Sequence, residues 1–353
     1  MTDKSLLKRI ARRMINHLNY NGVQEARELL QLVAEEHPRE EGGADDNRPM
    51  ERLVPVDSET VLRRTFEIAS DNLSERAILA CIQKWIKEDN ISFLADILET
   101  LDSPLVSIAD ALERYRHTGI EPSDLSLATQ IGLRVSLIRR LFTDNFDYIA
   151  IARHYLDLPD FSEMLARTII PPNSRGKLGG KSAGLTLASK IIQKSPEYAA
   201  VLSGIQVPKT WHLPSDALIN FIHHNNLEDV YNWKYLDTDQ IRQEYPHIVQ
   251  VFKNSSFPPE ILQGLSLALD DFADRPLIVR SSSLLEDRAG SAFSGKYKSL
   301  FLANQGRKAD RLAALLDAVA EVYGSVFGPD PIQYRAERGL LEYHEEMGVM
   351  IQE

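Results

Sequence analysis

The chain has 353 residues, of which 43% are hydrophobic and 26% are charged, with 18 glycines and 17 prolines. This length suits about two domains, and the composition excludes collagen, small disulfide-stapled proteins and disorder throughout. The formal net charge of -11 disfavours nucleic acid as a partner.

Near the N-terminus, residues 4–18 form an arginine-rich stretch whose composition alone would suit a transit peptide. Apolar residues recur through it at helical spacing, which favours an ordinary packed helix. These residues are Leu7, Ile10, Met14 and Leu18.

Residues 35–59 combine nine acids, three arginines, a Gly-Gly pair and three prolines with no apolar period. This pattern predicts a solvated linker or long loop. From about 58 to 168 the sequence becomes helical, with stretches that open on a serine able to cap and repeat apolar residues every three or four positions. The clearest stretches are 74–88, 92–101 and 103–115.

The only cysteine, Cys81, cannot form an internal disulfide and lies among apolar residues. It therefore predicts a small core side chain and a reducing, cytoplasmic location. Bilayer spans need roughly 18 to 20 consecutive apolar residues, and because no window approaches this we expect no membrane association.

Residues 127–142 suggest a helix, a turn marked by Gly132 and a second, basic helix. This pattern has two interpretations: a DNA-binding helix-turn-helix, or two packed helices of a bundle. The bundle is favoured because the surroundings are acidic and no second basic arm is present. We therefore predict an all-helical accessory domain over residues 1–168.

After Pro171 and Pro172 the pattern changes, because short β-branched runs alternate with amphipathic helices. This predicts a mixed domain over 169–353 and an α+β protein overall. The strand-like runs are 205–213, 276–283, 297–303 and 347–352. A helix-like run covers 311–325, and Gly324 is expected to end its helix.

A glycine-rich segment surrounds Lys181 and leads directly into a predicted helix. Glycines let the backbone approach an anion, helix-start amides point at it, and a lysine adds positive charge, so the segment predicts a phosphate site. The glycines are Gly176, Gly179, Gly180 and Gly184, and the residues expected on the buried side of the helix are Leu187, Ala188, Ile191 and Ile192.

Alternatives to a phosphate site remain open at this segment. The spacing of Gly176 and Gly180 leaves three residues between them where Walker A needs four, which disfavours a P-loop. The letters GKSAG also match a nucleophile elbow with Ser182 as nucleophile, although nothing marks its histidine partner. A turn that caps the helix is the other alternative. The available histidines are His223, His224, His247 and His344.

A second segment places Arg280 directly after a buried-strand pattern, Leu277–Val279, and before three serines, 281–283. A guanidinium held by a rigid strand beside hydroxyl donors suits a di- or triphosphate, because it binds two oxygens at once. The alternative is a surface ion pair between Arg280 and Glu286 or Asp287.

A self-contained metal site is not expected. The sequence has no HExxH, no paired cysteines and no EF-hand loop. The adjacent His223 and His224 would point in divergent directions on a regular backbone.

These segments resemble the N-terminal nucleotide-binding domain of the phosphoenolpyruvate synthase and pyruvate phosphate dikinase family. The resemblance spans residues 174–353 in the family's order. Its motifs are LGGKSAGL (178–185), IQVPKTWHLPSDAL (205–218), VRSSSLLED (279–287), FSGKYKS (293–299) and MGVMIQE (347–353).

The resemblance implies the first part of an ATP-grasp-like fold, in which a nucleotide lies between two α/β subdomains. By similarity, Lys181 and Arg280 would contact the phosphates of ATP, and the strand ending at Gln352 and Glu353 would lie beside the adenine. The full set of expected cofactor-binding residues is Gly179, Gly180, Lys181, Arg280, Ser281, Ser282, Gln352 and Glu353.

Family members use ATP to phosphorylate a histidine on a separate domain, release AMP and pass the phosphoryl group to pyruvate. The resemblance therefore implies the ATP-binding portion of a dikinase-type phosphotransferase. Its expected partners are ATP or AMP, pyruvate or another acceptor reached through missing domains, and a second copy in a homodimer.

The family pattern would continue beyond Glu353 into a second half of the grasp that supplies the Mg²⁺ ligands. The chain as given is therefore not expected to be catalytically complete. Leu284 and Leu285 replace the small or hydroxylated residues of many relatives, which suggests a divergent branch. Two alternatives stay open: a nucleotide-sensing or scaffold protein, and a phosphotransferase with an antibiotic or glucan acceptor.

Overall fold

The computed structural model describes residues 4–34, 58–285, 295–343 and 345–353. The chain divides into two compact units. The first comprises the described residues within 1–93 together with 119–130, and the second comprises those within 94–118 and 131–353. Residues 94–118 and 131–168, which the sequence assigned to the accessory domain, therefore pack within the second unit in this structure.

Helices account for most of the chain, and through residue 166 they are the only named elements of the described residues. Their bounds are α1 Lys4–Tyr20, α2 Gln24–Ala34, α3 Ser58–Asn72, α4 Glu75–Asn90, α5 Ser92–Glu99, α6 Leu105–His117, α7 Leu127–Leu141, α8 Phe146–Tyr155, α9 Leu158–Ala166, α10 Gly180–Gln193, α11 Ala199–Leu202, α12 Ala217–His224, α13 Thr238–Lys253, α14 Pro259–Phe272, α15 Lys308–Gly324 and α16 Pro329–Glu337.

The first unit is built around α1, α2 and α3. The predicted N-terminal helix is confirmed, since Met14 and Leu18 of α1 are fully buried in the core. Cys81 packs against this core, as expected, and burial raises the pKa of its thiol. Helix α3 begins at Ser58, inside the predicted linker, of which residues 35–57 lie outside the described residues.

A buried carboxylate joins three parts of the first unit. Glu88 of α4 is 6% exposed. It accepts hydrogen bonds from Arg13 Nη1 (2.5 Å), from the backbone N–H of Ser126 (2.6 Å) and from Thr129 Oγ1 (3.1 Å). Because these donors outweigh the desolvation of the charge, the pKa of Glu88 is lowered.

The predicted helix starts are partly correct. Ser74 caps α4, because its side chain accepts a hydrogen bond from the backbone N–H of Ala77 at 3.3 Å. Ser92, by contrast, is the first residue of α5, and the residue before α6 is Pro104 rather than a serine.

The prediction of two helices over residues 127–142 is wrong, because α7 is continuous through Gly132. A glycine inside a helix costs about 1 kcal/mol relative to alanine, which packing readily exceeds. Here Leu133, Leu137 and Leu141 are all buried on one side of α7.

Four antiparallel strands form one sheet in the order β1-β4-β2-β3. Each strand lies within its predicted run, and the predicted α+β class is confirmed. Strand β1 is shorter than its run, which contains Pro208, a residue without a backbone N–H for pairing. The strands are β1 Thr210–Leu213, β2 Leu277–Ser283, β3 Ser299–Leu302 and β4 Met347–Gln352.

One face of the sheet forms the core of the second unit with α12, α14 and α15. Val279 of β2 and Val349 of β4 are fully buried on this face. Tyr323 of α15 and Phe221 of α12 pack against each other in the same core, with ring centroids 5.7 Å apart. The opposite face carries polar side chains and receives α10.

Among the described residues, one helical stretch, Lys308–Glu337, passes a length and hydropathy test for a membrane span. Most of that apolar window, 61%, is buried inside the second unit. The stretch is also interrupted by a 3-10 turn at Ser325–Phe327. Its apolar residues therefore have partners in the core.

Candidate functional site

The glycine-rich loop before α10 is organised by Asp216. The Asp216 carboxylate accepts hydrogen bonds from Ser174 Oγ (2.8 Å) and from the backbone N–H groups of Arg175 (2.7 Å) and Gly176 (3.0 Å). A Cβ on Gly176 would lie 2.4 Å from Asp216 Oδ1, so glycine is required there. The backbone N–H groups at the start of this loop therefore bind a carboxylate of the protein itself, that of Asp216.

Two glycines bring this loop onto the tips of β2 and β4. Gly179 has a φ of +80°, and a Cβ there would lie 1.7 Å from the carbonyl oxygen of Ser282. A Cβ on Gly348 would lie 2.8 Å from the carbonyl oxygen of Leu178. Gly179 and Gly180 are both buried. Close backbone packing thus explains Gly179 without reference to a ligand.

The buried side of α10 differs from the prediction. Ala188 is exposed and Leu187, Ile191 and Ile192 are only half-buried, so this part of the prediction is wrong. The residues buried along α10 are instead small or polar, and they are Gly180, Ser182, Ala183 and Ser189. The helix start faces serines on β2, and a buried hydroxyl needs a hydrogen-bond partner more than an apolar neighbour.

The two predicted phosphate-binding cations both lie at β2, but the strand continues to Ser283, so Arg280 lies in its middle rather than at its end as the sequence suggested. Lys181 Nζ donates a hydrogen bond to Ser281 Oγ at 3.3 Å, and Ser281 directly follows Arg280. Arg280 Nη1 donates to Gln352 Oε1 at 3.3 Å, and Gln352 Nε2 donates to Thr210 Oγ1 at 3.0 Å. Gln352 therefore holds the guanidinium in place. The alternative partners of Arg280, Glu286 and Asp287, lie outside the described residues.

The eight predicted site residues differ in how far a ligand could reach them. Lys181 and Arg280 are half-buried and Glu353 is exposed, so these three are accessible. The other five are buried and can act through the backbone or by supporting their neighbours. They are Gly179, Gly180, Ser281, Ser282 and Gln352.

Strand register adds two residues that sequence reasoning missed. Arg280 pairs with Ser299 of β3, and Ile278 pairs with Phe301. Directly paired residues of antiparallel strands point to the same face, so both β3 side chains lie on the face of Arg280. Ser299 is exposed and Phe301 is 82% exposed. Their alternation with Leu300 and Leu302 was the available signal, but the pairing partner was not visible in the sequence.

A cleft of about 530 Å³ opens where β4 ends. Its walls include Thr210, Glu353 and Leu185, together with charged side chains of α9 and α10. This volume lies in the range of small-ligand sites. The cleft therefore provides space beside Gln352 and Glu353.

His212 of β1 is a further buried polar residue that the sequence did not single out. Its Nδ1 lies 3.1 Å from Ser182 Oγ, and burial lowers the pKa of the imidazole to about 4. The nucleophile-elbow interpretation does not fit, because Ser182 is 0% exposed and no described strand directly precedes it. Of the candidate partners, His223, His224 and His247 are exposed on other helices, and His344 lies outside the described residues.

The fold and the site define an α+β class of protein in which a helix-start lysine contacts the strand that carries an arginine. Residues 175–353 match the family described as pyruvate phosphate dikinase, AMP/ATP-binding domain. The chain belongs to this family and carries its AMP/ATP-binding domain, which has an ATP-grasp-like fold. The predicted resemblance is thereby confirmed.

Proposed function

We propose that the chain binds ATP on the sheet face that carries Arg280, as the nucleotide-binding part of a dikinase-type phosphotransferase. One observation carries the proposal: the start of α10, which carries Lys181, packs on β2 through the hydrogen bond from the Ser182 N–H to Ser282 Oγ at 3.1 Å, and Ser282 shares its sheet face with Arg280. Two cations from separate segments are thus assigned to one face of β2, beside the N-terminus of α10. Their charges and the helix dipole together favour a polyanion.

The register of the sheet supports one orientation of the nucleotide. Arg280 and Ser299 form one cross-strand pair, and Ile278 and Phe301 form the next pair on that face, about 7 Å along the strands. The first pair is cationic and polar, whereas the second is apolar and includes an exposed aromatic ring. The phosphates therefore lie towards Lys181 and Arg280, and the base lies towards Phe301 and the end of β4.

The residues present fit ATP as the bound group. When bound, ATP supplies the phosphoryl group that a dikinase transfers. Lys181 and Arg280 would neutralise the phosphate charge and fix its position, which is most of what phosphoryl transfer requires of a protein. Among the described residues, no cluster of three or more His, Cys, Asp or Glu side chains forms a ligand set for Mg²⁺.

The acceptor is proposed from the family alone. Members pass a phosphoryl group through a histidine of another domain to pyruvate, and the present chain would contribute the first, ATP-binding part of that sequence. The family membership supports this class of reaction rather than a particular substrate.

Calorimetric titration of the chain with ATP and, by competition, with adenosine tests the proposal. Lys181→Ala and Arg280→Ala should each weaken ATP binding by about 1.5 to 3 kcal/mol, the range for hydrogen bonds to charged groups. Adenosine binding should change little in Lys181→Ala, because adenosine has no phosphate. Equal losses for ATP and adenosine would contradict the proposed orientation.

Matched controls separate a specific effect from a general change of charge. Lys194 directly follows α10 and pairs with Asp157, at the opposite end of the helix from Lys181, so Lys194→Ala should leave ATP affinity unchanged. Arg275 is exposed just before β2 and serves the same purpose for Arg280. If the controls weaken ATP binding as much as the site variants, the site is elsewhere.

A further inference from the structure

Three buried polar side chains lie directly behind the proposed phosphate site. Ser182 Oγ lies 3.1 Å from His212 Nδ1 and 3.2 Å from Ser282 Oγ. The backbone N–H of Ser182 donates to Ser282 Oγ at 3.1 Å. Ser182 and Ser282 are fully buried, and His212 is 5% exposed. We call these three residues the hydroxyl-imidazole cluster.

The cluster joins the two segments that carry the cations. Ser182 follows Lys181 on α10, and Ser282 lies two residues after Arg280 on β2. His212 adds β1, whose backbone is itself fixed because the N–H of His212 donates to the carbonyl of Arg167 at 2.9 Å. The cluster thus links the first turn of α10 to two strands by side chains that have few other partners among the described residues.

Direct roles for these side chains in chemistry or binding are unsuitable. A nucleophile or ligand contact must be reachable, and Ser182 and Ser282 are fully buried, whereas His212 lines the cleft at the end of β4 but is only 5% exposed. An imidazole that burial keeps neutral adds no charge to a phosphate site. The remaining role for these side chains is to fix the position of the segments that they join, because a buried hydrogen bond is directional and costly to leave unmade.

We infer that Ser182 and His212 are positioning residues, which hold Lys181 beside Ser281 of β2 in the geometry that meets the phosphates of ATP. The inference rests on the proposed function and deepens it. Ser182 is fully buried, and His212 presents only 5% of its surface to the cleft, so we assign them no direct nucleotide contact. Their effect passes through the direction of the first turn of α10.

Four variants test this inference by calorimetric titration with ATP. Ser182→Ala and His212→Leu each remove the central hydrogen bond and should weaken ATP binding about fivefold, the equivalent of one buried hydrogen bond. His212→Asn places a polar atom near the position of Nδ1 and should restore affinity to within about twofold. Thr168→Val is the matched control, because Thr168 is buried beside His212 and its hydroxyl donates to the Met164 carbonyl of the preceding helix α9.

A coupling measurement separates positioning from general support of the fold. In a Lys181→Ala background, Ser182→Ala should have no further effect on ATP affinity, because the group that it positions is gone. Independent, additive losses would overturn the inference, as would unchanged affinity in Ser182→Ala and His212→Leu or an equal loss in Thr168→Val. Failure of the unaltered protein to bind ATP would overturn both the proposed function and the inference. Normal ATP binding by the unaltered protein with one of the outcomes above would overturn the inference alone, so the two failures are distinguishable.

Discussion

Replacing Gly179 by alanine should destabilise the second unit strongly. Its backbone, with φ +80° and ψ 174°, lies in a region that glycine alone adopts readily, and a side chain there costs about 1 to 3 kcal/mol. The added Cβ would also lie 1.7 Å from the carbonyl oxygen of Ser282. Moving the loop away from β2 should cost about 1 to 3 kcal/mol more, as other overpacked sites do.

The expected loss in free energy of unfolding is therefore about 2 to 6 kcal/mol. Scanning calorimetry, with the second unit followed as its own transition, provides the measurement. Gly184→Ala is the control, since Gly184 lies in α10 with open space around its Cβ position and should gain up to about 1 kcal/mol. Equal stability of the two variants would refute the claim that the loop is pressed against the strand tips.

Three further perturbations have defined outcomes. Arg335→Met should cost about 3 to 5 kcal/mol in urea denaturation, because Arg335 and Glu345 form a buried ion pair at 3.3 Å and the carboxylate would lose its cation. The free energy of unfolding should fall by about 2 kcal/mol more between pH 7 and pH 5 in the unaltered protein than in His212→Asn. The reason is that the pKa of His212 is about 4 in the folded state and 6.5 in the unfolded state, so acid favours the unfolded state. Urea midpoints measured at both pH values check this difference. Phe301→Ala should change the melting temperature little, because the ring is 82% exposed, yet lower ATP affinity in a titration.

Local pattern was sufficient to predict most elements of the second half. The four strand runs and the helix ending at Gly324 follow from β-branched and helical periodicities that the structure bears out. Gly132 shows the limit of this approach, because its breaking tendency is weak and α7 is stabilised by the buried side chains that follow it, Leu133, Leu137 and Leu141. The division into units depends on which helices pack together, and periodicity carries no information on that.

The site residues that the sequence could propose are those whose side chains carry a charge suited to a phosphate. Lys181 and Arg280 are charged residues beside glycines and serines, so the sequence could propose both as phosphate ligands. The length of β2 beyond Arg280 was not visible in the same way, because the three serines that follow it read as the end of the strand. The supports of the two cations were not visible either. Asp216 and His212 act only through partners far away in the chain, and no spacing rule connects them with the loop and helix they fix. Phe301 became part of the site face only when its register opposite Ile278 was known.

The central position of β4 has a consequence for biogenesis. This strand pairs with both β1 and β2, yet the ribosome makes it after every one of α12 to α16. Until it is inserted, β1 has no partner strand among the described residues, and the carbonyl of Leu178 lacks its close packing against Gly348. Nascent chains that end before β4 should therefore bind ATP poorly and be bound readily by chaperones.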